Sequence, residues 1–210
     1  FLWMKAHKIV MITIIKFYLF VRLPCYNESI VYRVYERMLA MKVVVIGATH
    51  AGTFATQELL TVHPEYEVVV YERNDTLSFL SCGIALWVGD HVSDPNKMFY
   101  ASPEALAALG ATMCMQHNVE AVDADARTVM VVNLVTGERF VDHDDQSVLT
   151  TGSARVRPQL PGIDNPHLYY CNDWHEAHRL RVVPADVDSV LATGAGAYGA
   201  DMAHEHAFAG

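Results

Sequence analysis

Cys82 is the residue of this sequence whose surroundings most favour redox chemistry. It precedes Gly83 and the expected start of a helix, where the positive end of the helix dipole favours the thiolate form. A thiolate of low pKa is the form of cysteine that peroxides oxidise. The alternative is a buried, inert cysteine, which is common among lone cysteines. Histidine is the side-chain type that suits proton delivery near neutral pH, so His50 is a candidate, although an exposed histidine at a helix start is the simpler interpretation of the sequence alone.

The other cysteines and the paired histidines carry no comparable signal. Cys25, Cys114 and Cys171 stand far apart, and the chain has no Cys-x-x-Cys pair. Their spacing predicts neither a disulfide framework nor a zinc site, and it indicates a reducing, cytoplasmic setting. His204 and His206 cannot bind one metal from the same helix face, because positions two apart on a helix diverge. The sequence therefore predicts no metal site.

A glycine-rich turn between a strand and a helix is the element that would position this chemistry. Val43–Ile46 is an apolar run rich in β-branched residues, as buried parallel strands require. Gly47 permits a tight turn, and Gly52 permits close packing of the next helix, whose N–H groups would bind a pyrophosphate. Glu72, about twenty residues beyond Gly52, is placed to accept hydrogen bonds from ribose hydroxyls.

The rest of this unit follows from periodicity. A helix is predicted over residues 51–62, and Pro64 ends its pattern. The face expected to pack on the sheet carries Ala51, Phe54, Ala55, Leu59 and Val62. A second strand is predicted at Glu67–Tyr71. Thr49 stands where the standard turn has its middle glycine, so the turn alone is weak evidence. The strand–turn–helix–strand context is what predicts dinucleotide binding.

Three motifs in this order resemble those of the bacterial NADH oxidase and NADH peroxidase family. They are Gly47–Thr53, Tyr71–Asn74 and Ser78–Leu86, the last reading Ser-Phe-Leu-Ser-Cys-Gly-Ile-Ala-Leu. This family belongs to the FAD-dependent pyridine nucleotide-disulfide oxidoreductase superfamily. The resemblance runs from residue 41 to residue 210, and it is closer to water-forming NADH oxidases than to peroxidases or coenzyme A-disulfide reductases.

The resemblance implies an FAD enzyme whose single redox cysteine, Cys82, cycles between thiolate and sulfenic acid. Trp87 occupies the position of the second cysteine in the dithiol enzymes of the superfamily, so no internal dithiol is expected. His50 matches the family's active-site histidine, close to the redox cysteine and an oxygen intermediate. The FAD-binding residues that the resemblance implies are Gly47, Thr49, His50, Ala51, Gly52, Glu72, Arg73, Cys82, Val119, Thr151 and Gly152.

The second half of the chain predicts a β-meander and the start of another nucleotide-binding unit. Strands are predicted at residues 112–117, 120–123 and 128–134. Thr150–Ser153 resembles the family motif at which the chain leaves the FAD domain. A short strand at residues 190–192 precedes a second glycine-rich turn, and a helix is expected over residues 200–209. The residues that the resemblance implies for NADH are Gly194, Gly196, Tyr198 and Gly199.

The predicted fold class is α/β, a Rossmann-like FAD-binding domain with a β-meander followed by the start of a second Rossmann-like NADH-binding domain. Residues 1–40 show no helix or strand period and are expected to be a non-native or disordered extension. Residues 41–153 would form the first segment of the FAD-binding domain, and residues 154–210 a truncated NAD(P)H-binding domain. The chain is expected to be an N-terminal fragment with little activity, without the interface domain of the family's homo-oligomer.

The predicted function is electron transfer from NADH, through flavin and the redox cysteine, to dioxygen. The alternatives are an NADH peroxidase or coenzyme A-disulfide reductase, and a non-catalytic, truncated dinucleotide-binding remnant. The formal net charge of −9 argues against a nucleic-acid partner. No apolar run reaches the roughly 20 residues of a membrane helix, so no membrane partner is expected. The expected partners are small molecules: NADH, and dioxygen or peroxide.

Overall fold

The computed structural model describes residues 41–154, 156, 159–182, 189–194 and 196–209, with side chains up to residue 205. The extension expected at residues 1–40 lies outside the described residues. The strands described are β1 (Lys42–Ile46), β2 (Glu67–Glu72), β3 (Thr112–Met115), β4 (His117–Asp123), β5 (Thr128–Asn133), β6 (Arg139–His143) and β7 (Gln146–Leu149). The α-helices described are α1 (His50–Val62), α2 (Ile84–Val88), α3 (Pro103–Ala108), α4 (Trp174–Arg181) and α5 (Ala197–Ala209). No helix in these ranges combines the length and apolarity needed to cross a bilayer.

A parallel sheet in the order β3-β2-β1-β7 forms the centre of the described chain. β1 pairs with β2 on one side and with β7 on the other. Val43 and Val45 enter one apolar core, while Val44 and Ile46 enter the core on the opposite face. A strand buried on both faces needs a continuous apolar run. The α/β class and the first strand predicted from the sequence are confirmed.

Helix α1 packs on the sheet through a face that the sequence did not predict. Its buried residues are Gly52, Thr53, Thr56 and Leu60. Phe54 and Val62, which belong to the predicted face, are 57% and 56% exposed. The Thr53 hydroxyl donates to the Ala48 carbonyl at 2.9 Å, so its polar group is satisfied inside the core. Small side chains face the sheet at the start of the helix, where a Cβ atom at residue 52 would overlap the Gly47 carbonyl oxygen, and the larger Leu60 is buried farther along.

The antiparallel meander β4-β5-β6 covers one face of the sheet. A meander was predicted, but its third strand, β6, was not. Val129 and Val131 of β5 are fully buried beside Tyr71 of β2. Tyr71 also donates a hydrogen bond of 2.8 Å to Asp142 of β6. The sheet and the meander are therefore joined by both an apolar core and a polar contact.

The strand predicted over residues 112–117 is divided between the two sheets. β3 ends at Met115, Gln116 has a left-handed φ of 56°, and β4 begins at His117. A residue whose backbone lies in the left-handed region cannot continue the extended conformation of a strand. The change of direction at Gln116 takes the chain out of the parallel sheet and into the meander.

The strand predicted at residues 190–192 is absent from the described segment 189–194, and that prediction was wrong. Val190 and Leu191 are 58% and 87% exposed. A parallel strand needs a neighbour for its backbone hydrogen bonds, and the described strands pair only among themselves. β7, which has a similarly polar start, does form because β1 offers it a paired edge.

Helices α4 and α5 pack against α2 around an aromatic cluster. Trp174 of α4 stacks on Trp87 of α2, with ring centroids 5.3 Å apart and planes 11° from parallel. Met202 of α5 joins the same buried cluster. Arg181 donates a hydrogen bond of 2.8 Å to the Val88 carbonyl at the end of α2. α5 begins at Ala197, earlier than the predicted helix.

Candidate functional site

A cleft of about 730 Å³ opens at the carboxyl ends of β1, β2 and β7. Ligands of open parallel sheets bind at this position. The predicted cofactor-binding residues that line the cleft are Gly47, Thr49, His50, Glu72, Arg73, Val119, Thr151, Gly152 and Tyr198. The predicted residues that do not line it are Ala51, Gly52, Cys82, Gly194, Gly196 and Gly199. The cleft thus gathers most of the side chains expected at the first glycine-rich turn and only one from the second.

The first glycine-rich turn depends on two close backbone contacts. Gly47 has a φ of +95°, a conformation that favours glycine. A Cβ atom at Gly52 would overlap the Gly47 carbonyl oxygen, so the start of α1 can sit against the turn only with glycine there. The Thr150 hydroxyl lies 2.8 Å from the same carbonyl and 2.9 Å from that of Ile46. These contacts set the start of α1 against the turn, where His50 lines the cleft and Ala51 and Gly52 do not.

The Glu72 carboxylate, at the end of β2, is hydrogen-bonded to the first glycine-rich turn. Its Oε2 accepts a hydrogen bond of 2.6 Å from the Ala48 N–H. Its Oε1 accepts hydrogen bonds from the backbone N–H and the side-chain amide of Asn74, at 2.8 and 2.7 Å. Glu72 is only 2% exposed, yet it borders the cleft. The residue predicted to bind ribose therefore also holds the glycine-rich turn in place.

Asn74, Tyr100 and Cys171 are residues at or beside the cleft that the sequence did not single out. Asn74 lay within a recognised motif but was given no role. Tyr100 stacks on Phe54 with ring centroids 5.4 Å apart, and burial raises the pKa of its phenol. Cys171 lines the cleft, and burial raises the pKa of its thiol to about 11. The short spacing between Glu72 and Asn74 could have predicted their contact. Tyr100 and Cys171 are brought to the cleft by tertiary packing, which the sequence does not reveal.

Cys82 is exposed, so the alternative of a buried cysteine is wrong. It lies in the short 3₁₀ turn Ser81–Gly83, which leads directly into α2. Ser81 lines the cleft and Cys82 does not, so the thiol sits next to the cleft wall without forming part of it. The expected helix start after Gly83 is present, because α2 begins at Ile84.

His50 is the first residue of α1 and borders the cleft. It is exposed, and its ring lies 5.2 Å from the Tyr100 ring, centroid to centroid. The imidazole can therefore exchange protons with solvent while facing the ligand space.

The second glycine-rich turn repeats the backbone geometry of the first. Gly194 has a φ of +110°, and a Cβ atom at Gly199 would overlap the Gly194 carbonyl oxygen. α5 follows and is anchored by Glu205, which is 8% exposed and lies 2.9 Å from the His91 imidazole. Tyr198, half-exposed at the start of α5, reaches the cleft. Gly194 and Gly199 thus share two features of the first turn, although the described residues 189–194 contain no strand.

Comparison with known proteins places the chain in a family. Residues 41–210 match the family model "Pyridine nucleotide-disulphide oxidoreductase". An NADH oxidase of Enterococcus faecalis is 47% identical over 162 residues, which cover 77% of this chain and 36% of that protein. An NADH oxidase of Lactococcus lactis is 32% identical over 165 residues, covering 78% of this chain and 37% of that protein.

A solved structure agrees with these relatives. The water-forming NADH oxidase from Lactobacillus brevis, bound to NADH, superposes with a TM-score of 0.79 at 45% identity, covering 80% of this chain and 38% of that one. The chain therefore belongs to the pyridine nucleotide-disulphide oxidoreductase family, and the resemblance found in the sequence is confirmed. It spans little more than a third of the length of these NADH oxidases. Members of the family use FAD, the cofactor expected from the sequence.

Proposed function

We propose that this chain is the FAD-binding part of an NADH oxidase, which passes electrons from NADH to FAD and then to dioxygen. The observation that carries the proposal is the cleft at the carboxyl ends of the sheet, where a preformed glycine-rich turn and the Glu72 carboxylate meet. The likeness to NADH oxidases at 45–47% identity supports the same activity. NADH and dioxygen would be its small-molecule substrates.

The described residues fit FAD chemically. The free N–H groups at the start of α1 suit a pyrophosphate, and the first turn of this helix has no acidic residue that would repel one. Arg73 is exposed at the border of the cleft and adds positive charge there. Gly152 has a φ of +69°, which favours glycine, and it lines the cleft beside Thr49. A cleft of this volume lies within the range of cofactor sites.

Bound FAD would supply the hydride-accepting and oxygen-reducing chemistry that no side chain of the chain can perform. The chain's own groups bind, orient and move protons. His50 faces the cleft from the start of α1 and would deliver protons to reduced oxygen. Cys82 would attack a peroxide oxygen as a thiolate, so that an S–O bond forms, the O–O bond breaks and hydroxide leaves. Protonation of this hydroxide gives water.

The second glycine-rich turn would receive NADH. Gly194 and Gly199 share the backbone geometry of the first turn, and Tyr198 extends from this turn into the same cleft. Helix α5 would present its N-terminal N–H groups to the pyrophosphate of NADH. Both nucleotides would thus meet in one cleft.

The experiment that tests this proposal is anaerobic addition of NADH to the FAD-loaded chain, followed by addition of one acceptor at a time. We expect slow loss of the oxidised flavin band with NADH, in keeping with the little activity expected of this chain, and its return with dioxygen. If the band returns only with hydrogen peroxide, or only with coenzyme A disulfide, that compound is the electron acceptor and dioxygen is not. A coenzyme A disulfide reductase of Staphylococcus aureus is 24% identical over 158 residues, so this comparison of acceptors is needed. A band that NADH leaves unchanged would contradict the proposed electron donor.

A further inference from the structure

Asn74 is the residue that fixes the orientation of the Glu72 carboxylate. Its side-chain amide and its backbone N–H both donate to Oε1, at 2.7 and 2.8 Å, while the Ala48 N–H holds Oε2 at 2.6 Å. A carboxylate offers about four acceptor positions. Three are filled by these donors, which leaves one position for a ligand donor. The direction of that remaining position is set by the two hydrogen bonds from Asn74.

Asn74 also joins this carboxylate to a neighbouring part of the cleft lining. Its backbone carbonyl accepts a hydrogen bond of 3.1 Å from the Gln116 N–H, and the Gln116 carbonyl accepts one of 2.8 Å from Leu134. Gln116 is the left-handed residue from which the chain enters β4. The residues that follow it, His117–Val119, line the cleft. Asn74 thus contacts both the Glu72 carboxylate and Gln116, the residue just before the cleft-lining segment His117–Val119.

We propose that Asn74 is a positioning residue for dinucleotide binding, which orients Glu72 toward a ribose hydroxyl and sets the distance to the His117–Val119 wall. This inference rests on the proposed function, because the dinucleotide concerned is FAD. Asn74 itself lines the cleft and is exposed, so it has no core-packing role that would explain its hydrogen bonds.

The test compares FAD dissociation constants, measured by quenching of flavin fluorescence, for the unmodified chain, N74D and N96D. Asn96 is a matched control, since its backbone N–H and side-chain amide donate to Asp94 at 3.0 and 3.1 Å in the same arrangement, outside the cleft. N74D places a second carboxylate beside Glu72. We expect it to weaken FAD binding about tenfold near neutral pH, and N96D to change binding less than about twofold.

A pH series separates positioning from folding. Two adjacent carboxylates share a proton as the pH falls, so the loss of affinity in N74D should shrink toward about pH 5.5. N74A, which removes the amide without adding charge, should bind FAD more weakly with no such pH dependence. If circular dichroism shows that N74D does not fold, N74A and N74S are compared instead. The FAD dissociation constant of N74S should then lie between those of N74A and the unmodified chain.

The outcomes distinguish this inference from the proposed function. An unmodified chain that binds no FAD overturns both. An unmodified chain that binds FAD, with variants of Asn74 that are folded and bind it equally well, overturns the inference and leaves the proposed function standing. Variants that lose thermal stability but keep the FAD dissociation constant give Asn74 a structural role only, which also overturns it.

Discussion

The Glu72 carboxylate accepts a hydrogen bond of 2.6 Å from the Ala48 N–H, across 24 residues of sequence. This bond ties the carboxyl end of β2 to the turn that follows β1. The acid is therefore a structural part of the glycine-rich turn before any ligand arrives. Ligand binding and the local stability of the turn should respond together when Glu72 is changed.

Replacing Glu72 with glutamine should lower both stability and FAD affinity. A glutamine offers one acceptor oxygen, so its NH₂ group must face either the Ala48 N–H or the donors of Asn74 in a buried site. We expect a loss of about 1–3 kcal/mol in the free energy of unfolding, from urea titration. Glu138→Gln, at an exposed hairpin residue, is the control and should leave stability unchanged. Equal stability of the two variants would show that the charged carboxylate of Glu72 and its hydrogen bonds contribute no stability beyond what a glutamine supplies.

The contact between sheet and meander should make stability depend on acidic pH. Burial alone would raise the pKa of Asp142, but hydrogen bonds from Lys42, Tyr71 and the His143 N–H outweigh it and hold this pKa below its ordinary value. A carboxyl whose pKa is lower in the folded chain stabilises the fold above its unfolded pKa of about 3.9. This contribution is lost as the pH falls through the folded pKa.

Urea midpoints measured from about pH 6 down to about pH 2 test this linkage. Asp142→Asn should unfold at lower urea near pH 6, and its midpoint should fall less steeply below about pH 4 than that of the unmodified chain. Asp125→Asn, in the exposed turn between β4 and β5, should follow the unmodified chain throughout. Parallel pH profiles for the Asp142 variant and the unmodified chain would refute the linkage.

The thiols should differ sharply in reactivity. Cys82 is exposed, whereas burial raises the pKa of Cys171 to about 11 and also raises that of Cys114. Thiolates react and protonated thiols do not. With Cys25 replaced by serine, because it lies outside the described residues, one fast equivalent of Ellman's reagent near pH 7.5 should be consumed. Cys82→Ser should remove this fast phase; a fast phase that persists would assign the reactive thiol to another cysteine.

Trp174 should be the main anchor of α4. Its ring stacks on Trp87 and meets Phe99 edge-on at 5.0 Å and His178 at 4.1 Å. Trp174→Ala should cost about 2–4 kcal/mol of unfolding free energy and weaken the near-UV circular dichroism of the stacked pair. Trp174→Phe, which keeps an aromatic ring in the cluster, should recover most of this stability. A loss of less than about 0.5 kcal/mol in the alanine variant would mean that α4 is not held by this contact.

The parts of the fold predicted from the sequence are those in which local pattern and tertiary demand agree. The run Val43–Ile46 had to be a doubly buried strand, and the glycines at 47 and 52 meet the contacts that require them. The same agreement predicted β5 and part of β4, whereas β6 was not predicted. Most of the residues implied by the family resemblance at the first turn line one cleft.

The failures have physical causes that lie outside local pattern. The buried face of α1 is set by how closely the helix approaches the sheet, so Thr53 and Thr56 are buried in place of Phe54. The single strand over residues 112–117 is interrupted because Gln116 adopts a left-handed backbone, which sequence spacing does not reveal. Residues 190–192 have no neighbouring strand among the described residues, and an apolar run alone does not form a sheet.

The measurement that tests the central claim most directly is the visible absorption spectrum of the chain after incubation with FAD and desalting. Gly52→Ala serves as the comparison, because its new Cβ atom would overlap the Gly47 carbonyl oxygen and move α1 away from the turn. We predict that the unmodified chain retains a flavin band at close to one flavin per chain and that Gly52→Ala loses it. An unmodified chain that emerges colourless would contradict the assignment of this cleft as an FAD site.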